Sequence, residues 1–183
     1  NYQSLMFIAA AGLILFCKPV MMVLTLSGDS AFNEAWQYIP LLVVATVFSC
    51  FVTFLGSIYM VEMRSGQSFV TMMIGAGSNL LMNWLLIPDF GPNGAAFATF
   101  ASYLLVFVIR ALGTRRYIRI NLHPLRMLWT MVLISGEIAL MLAQVPLWQL
   151  WCSLLCAAVI FFNFGPLLET ANQLFSRLRR RRA

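Results

Sequence analysis

The chain has 183 residues, 61% of them apolar and 10% charged, with twelve Lys and Arg against six Asp and Glu for a formal charge of +6. Soluble globular domains carry roughly 25% charged residues, so this composition excludes a water-soluble domain that hides its apolar surface in a core. The positive charge does not indicate nucleic acid as a partner, because the basic residues cluster at the ends of apolar stretches instead of interleaving with polar and aromatic groups along one face.

Six apolar stretches follow one another, over about residues 3–26, 36–60, 67–87, 93–111, 127–144 and 147–166. Each approaches the about 20 residues that a helix needs to cross about 30 Å of hydrocarbon. The expected fold class is therefore all-α, an integral membrane bundle of about six transmembrane helices over residues 1–166 with a basic tail over 167–183. Charge gives the expected orientation. With helix ends numbered alternately from Asn1, Arg64, Arg110, Arg115, Arg116, Arg119, Arg126 and the tail residues Arg177, Arg179, Arg180, Arg181 and Arg182 all fall on the side of Asn1. Asp29, Glu34 and Asp89 fall on the other side, so the positive-inside rule places both ends of the chain in the cytoplasm. The arginine tail then faces anionic lipid headgroups.

The first stretch starts within a few residues of Asn1, with no initiator Met, no basic n-region and no small-residue cleavage site. No signal peptide is expected, and the sequence reads as a fragment that begins in the middle of a larger membrane protein. Lys18-Pro19 interrupts this stretch, removing one backbone hydrogen bond and placing an ammonium group inside a span. Trp36 and Tyr38 open the second stretch at the depth of an interfacial aromatic belt, and Pro40 falls in the first turns of its helix.

Arg64 sits in the short loop that follows. The third stretch carries Gly75, Ala76, Asn79 and Asn83 near one face, where small residues admit a close neighbour and the amides can hydrogen-bond to it. Pro88 to Gly94 is dense in helix breakers and predicts a tight turn between antiparallel spans. The fourth stretch opens on Gly94, Ala95, Ala96 and Ala98, which suit contact with the Gly75 face, and leaves the membrane at Arg110. Residues 112–126 are basic, interleaved with Tyr117, Ile118, Ile120 and Leu122, and can lie along a leaflet. The last two stretches form a hairpin about Gln144, Val145 and Pro146.

From Gly77 to Thr99 the chain resembles the oligosaccharide-flippase branch of the multidrug/oligosaccharidyl-lipid/polysaccharide exporter superfamily. The residues that carry the likeness are the Asn79 and Asn83 helix, Ile87-Pro88, Gly91, Gly94-Ala95-Ala96 and Ala98-Thr99. The likeness spans about residues 10 to 115 and does not reach the final hairpin. It implies the C-terminal lobe of a transporter with about 12 to 14 helices, whose two pseudo-symmetric bundles rock about a central cavity. It also implies a cargo, an undecaprenyl-pyrophosphate-linked oligosaccharide carried across a bacterial inner membrane, and a missing N-terminal half of the same protein as partner.

Four residues are substrate-binding candidates. Lys18 offers a cation to a pyrophosphate, against the alternative of a snorkelling side chain beside Pro19. Asn79 and Asn83 can meet sugar hydroxyls or, equally, a neighbouring helix. Arg64 can meet a headgroup or form part of a cytoplasmic gate, though topology signalling alone suffices to explain it. Glu137 is the one carboxylate inside a span and the candidate for proton coupling, against a structural role as a neutral acid. Cys17, Cys50, Cys152 and Cys156 lie inside spans and read as small buried residues, with no carboxylate expected beside the Cys152/Cys156 face; His123 reads as a loop residue. No metal or cofactor is expected. No catalytic motif is present, so an enzyme is not expected. Two further readings are a drug or cation antiporter of the same superfamily, which would need Glu137, and a non-transporting membrane scaffold in which Lys18 faces a protein neighbour.

Overall fold

The computed structural model describes residues 2–24, 35–115, 124–143 and 148–182. All of the elements there are helices: α1 (Tyr2–Leu24), α2 (Ile39–Val61), α3 (Ser65–Thr114), α4 (Pro124–Leu142) and α5 (Trp148–Arg182), with one turn of 3-10 helix at Ala35–Gln37 ahead of α2. The all-α expectation holds. By length and hydropathy Tyr2–Met21, Ile39–Val61, Ser65–Thr114 and Leu125–Leu142 can each cross a bilayer. Large apolar side chains such as Phe69, Leu80, Trp84 and Phe161 stand exposed, a surface that hydrocarbon tolerates and water does not. The protein is a multi-pass membrane protein.

Five helices rather than six result because α3 runs through the predicted Pro88–Gly94 turn. Only Gly91, at φ 54° and ψ −133°, leaves helical geometry. That one residue reverses the chain. A straight helix would hold Thr71 and Arg110 about 58 Å apart at about 1.5 Å per residue, yet the two are hydrogen-bonded at 2.9 Å. The arms, 65–90 and 92–114, are therefore antiparallel, and they correspond to the third and fourth expected spans.

Their pairing is regular. Thr71 meets Arg110, Gly75 meets Val106 and Asn79 meets Ser102, so each step of four residues down one arm is matched by four up the other, and nearer the turn Gly94 meets Leu86. Glycine makes the approach possible: a Cβ on Gly75 would stand 2.5 Å from Val106 Cγ2, and one on Gly94 would stand 2.5 Å from the Leu86 carbonyl oxygen.

The chain groups into two compact units, one of Asn1–Val20 with Leu122–Ala183 and one of Met21–Asn121. In the second, α2 packs on the outgoing arm of α3 through edge-on rings, with Phe48 5.7 Å from Phe100 and 5.4 Å from Phe107. Pro40 lies in the first turn of α2, where its missing N–H costs nothing. The helix ends on Met63 at φ 55°, with the Arg64 N–H bonded to Tyr59 O at 2.8 Å, which caps the last carbonyls and turns the chain into α3.

In the first unit, α1 buries Ser4, Phe7, Ala11 and Ile14 at helical spacing. α4 and α5 meet along Thr130, Ile134, Glu137 and Met141 on one side and Cys152, Cys156, Val159 and Asn163 on the other, all buried. The Asn163 amide donates to Thr130 Oγ1 at 3.3 Å and fixes their antiparallel register. The apolar part of α5, Gln149–Gly165, has 17 residues, and the helix continues through the arginine tail to Arg182. His123, Asp29, Glu34, Arg116, Arg119, the Gln144–Pro146 turn and the side chains of the tail arginines lie outside the described residues.

Candidate functional site

The seam of the α3 hairpin carries two polar clusters. The first surrounds Asn79, whose position one turn below Gly75 puts its amide where the opposite backbone comes close. Its Nδ2 donates to Ser102 Oγ at 3.2 Å, and its Oδ1 accepts from Asn83 Nδ2 at 3.0 Å. Ser102 passes its own hydrogen to Thr99 O at 2.9 Å. The chain of bonds stops at Asn83 Oδ1, which is buried and has no hydrogen-bond partner. Beside Asn79 and Ser102 lies a cleft of about 270 Å³ lined by Gly75, Ala76, Asn79, Thr99, Ser102 and Tyr103, with Val52, Met72 and Val106 completing the wall. Amides, hydroxyls and small residues around one opening form a surface that hydrogen-bonds neutral polar ligands such as sugar hydroxyls.

The second cluster corrects an expectation. Arg110, read from the sequence as the point where the fourth span leaves the membrane, is 3% exposed. Its Nε donates to Thr71 Oγ1 at 2.9 Å, Nη1 to Val52 O at 2.7 Å, and Nη2 to Ser68 O and Oγ at 3.1 and 3.2 Å. One guanidinium thus ties α2 to both arms of α3. It reaches the α2 backbone because residue 56 is glycine: a Cβ there would collide with Nη1. A sequence signal existed. Arg110 stands more than a turn ahead of Arg115 and Arg116, inside the apolar run, while Gly56, Ser68 and Thr71 supply the space and the acceptors.

Arg64 is exposed at the turn between α2 and α3. It lies 15 positions before Asn79, about 22 Å along the helix axis. It shares the second unit with Asn79 and Asn83 but does not line the cleft beside Asn79. Lys18 and Glu137 belong to the first unit. Lys18 is half-buried on α1 between buried Cys17 and Pro19, which lies inside the helix. Glu137 is fully buried, with neither carboxyl oxygen hydrogen-bonded.

Glu137 also corrects the expectation that no carboxylate stands beside the two α5 cysteines. The Cys152 thiol contacts Glu137 O at 3.7 Å, so the face bearing Cys152 and Cys156 packs against the turn of α4 that carries Glu137. Among the described residues no set of three or more His, Cys, Asp or Glu side chains is placed to hold a metal ion. Cys17, Cys152 and Cys156 are buried and Cys50 is half-buried.

No family model, no curated protein and no solved structure matches the chain.

Proposed function

We propose that the chain is one lobe of a non-enzymatic transporter that moves undecaprenyl-pyrophosphate-linked oligosaccharide across a bacterial inner membrane by alternating access. The observation that carries this reading is the Asn79, Asn83 and Ser102 network beside the 270 Å³ cleft, in a membrane-spanning hairpin whose sequence resembles that of oligosaccharide flippases. A lipid-linked glycan needs hydrogen-bonding groups inside the membrane to replace the water its hydroxyls give up. Asn79, Thr99, Ser102 and Tyr103 present such groups on the cleft wall, and Asn83 holds the Asn79 amide in place from behind through its hydrogen bond.

In this reading the two arms of α3 move as one body, because the Gly75 and Gly94 contacts and the Arg110 hydrogen bonds bind them together. A second lobe supplies the opposite wall of the pathway, and rocking of the two lobes exposes it to each leaflet in turn. Lys18 remains the candidate cation for the pyrophosphate.

The test is a flipping assay in proteoliposomes containing the full-length parent and a lipid-linked oligosaccharide, scored by access of an impermeant glycosidase. Asn79→Ala and Asn83→Ala are expected to slow flipping about tenfold each, the size of one lost hydrogen bond to a desolvated group. Unchanged rates in both variants would remove the seam from the pathway. A second arm introduces a single Cys at position 18 of a cysteine-free parent, with controls at Asp89 and Gly113. Labelling from outside that the lipid-linked oligosaccharide blocks supports a wet pathway at Lys18, whereas a silent position 18 beside a reactive 89 makes Lys18 structural and favours a scaffold.

A further inference from the structure

A second cleft, of about 500 Å³, opens at the arginine-bearing end of the same hairpin. Its walls differ in chemistry. Val70 and Ile74 of one arm and Ile109 and Leu112 of the other form an apolar wall, while Gly66, Gln67, Thr71 and the Tyr59 hydroxyl lie toward the helix ends. The Tyr59 hydroxyl packs against Gly113, so α2 closes the back of the cleft.

The charge around it is unbalanced. Behind Thr71, the buried Arg110 ends all four of its hydrogen bonds on uncharged oxygens, so its charge is not neutralised by them. Exposed Arg64 and Arg115 stand two residues from the lining glycines Gly66 and Gly113, and among the described residues Glu62 is the carboxylate near them in sequence. An apolar wall continuous with a lipid-facing helix surface, ending at three arginines, fits a molecule that is itself apolar at one end and anionic at the other.

We propose that this cleft is a binding site for an anionic phospholipid of the surrounding leaflet. The acyl chains lie along Val70, Ile74, Ile109 and Leu112, and the phosphate sits at the Gly66 and Gly113 end, where Gln67 donates a hydrogen bond and the arginines supply the field. Annular lipid would occupy the apolar wall whatever its headgroup; the surplus of positive charge is what selects the anionic species, worth about 1 kcal/mol for each basic residue near the headgroup. This proposal does not depend on the cargo of the transporter.

Gly66 offers a clean test, because a Cβ at that position meets nothing within 4 Å. Gly66→Glu places a negative charge at the anionic end of the cleft, in the first turn of a helix that accepts an acidic residue well. Gly66→Gln adds the same bulk without charge. The full chain, purified in mild detergent and mixed with equal amounts of phosphatidylglycerol and phosphatidylcholine, is examined by native mass spectrometry for the lipid retained.

Wild type and Gly66→Gln are expected to retain phosphatidylglycerol in preference, and Gly66→Glu to lose about fivefold of that preference, the factor that corresponds to about 1 kcal/mol. The tail arginines are identical in all three proteins, so the difference between variants reports the cleft alone. Equal retention of the two lipids by wild type, an unchanged preference in Gly66→Glu, or an equal loss in Gly66→Gln would each overturn the proposal. A matching thermal unfolding midpoint in the three proteins establishes that the hairpin itself is intact.

Discussion

Arg110 is where a single side chain does most to shape this protein. A buried cation is expensive, and it persists here because four hydrogen bonds from one planar group reach acceptors on two other helical segments, α2 and the incoming arm of α3. Two of those acceptors need it only in part: Thr71 Oγ1 also donates to Ser68 O at 2.9 Å, and Val52 O belongs to a helix ladder. Replacing Arg110 with Met should therefore lower stability by about 2 kcal/mol, the scale of hydrogen bonds to a charged group, and not by the larger cost of stranding a charge. The midpoint of thermal unfolding in mild detergent measures it. Gly56→Ala should be damaging in the wild type, because the new methyl collides with the guanidinium, and much milder when Arg110 is already Met. A double-mutant cycle should give a coupling of about 1 kcal/mol or more; additive effects would mean that Gly56 serves something other than the arginine.

At the scale of elements, the α3 hairpin depends on Gly91. Its φ of 54° with ψ of −133° is a conformation that residues with a side chain enter at a cost of about 1–3 kcal/mol. Gly91→Ala should lower the unfolding midpoint accordingly, even though no atom would obstruct the added methyl. Gly94→Ala should be at least as harmful for a different reason, since its Cβ would press on the Leu86 carbonyl. Relative loss of stability in the two variants, read by the same thermal assay, separates backbone strain from steric contact.

Much of this hairpin was legible from Pro88, Gly91, Pro92 and Gly94, which announce a reversal, and from Gly75 and Ala98, which announce close packing. The shape of the turn was not legible, because breaker density predicts several irregular residues where one glycine suffices. Nor was the pairing of Asn79 with Ser102, since helical periodicity says which residues share a face and leaves the offset between two faces open. Arg110 was misread for a related reason. Charge counting treats every arginine near a helix end alike, whereas a buried one is distinguished by its place inside the apolar run and by the Gly56 opening and the Ser68 and Thr71 acceptors on other segments.

At the scale of the whole molecule, the six apolar stretches reappear as α1, α2, the two arms of α3, α4 and α5, each within a few residues of the boundaries that hydropathy gives except α5, whose helix runs on to Arg182. The proposed orientation puts the α2–α3 turn and the C-terminal end of α3 in the cytoplasm. Single cysteines at Arg64 and Arg115 should therefore react with a membrane-impermeant thiol reagent only after the cell is permeabilised, and one at Asp89 should react in intact cells. The reverse pattern would invert the topology. Glu137 was visible in the sequence as an acid inside a span; that it faces Cys152 and Cys156 required the α4–α5 register. Because both its oxygens lack hydrogen-bond partners, Glu137→Gln breaks no hydrogen bond of the folded protein and should shift the thermal unfolding midpoint less than Arg110→Met does.

The four-for-four pairing of the α3 arms makes chain length between partners as constrained as residue identity. One residue deleted between Asn79 and Gly91 would turn everything on the N-terminal side of the cut by about 100°. Asn79, Gly75, Thr71 and Ser68 would then lose Ser102, Val106 and Arg110 together. Substitutions in this hairpin can fail one contact at a time, whereas a single-codon insertion or deletion in either arm breaks the whole ladder beyond it, so relatives of this protein should keep the residue count of the seam fixed even where its residue types differ.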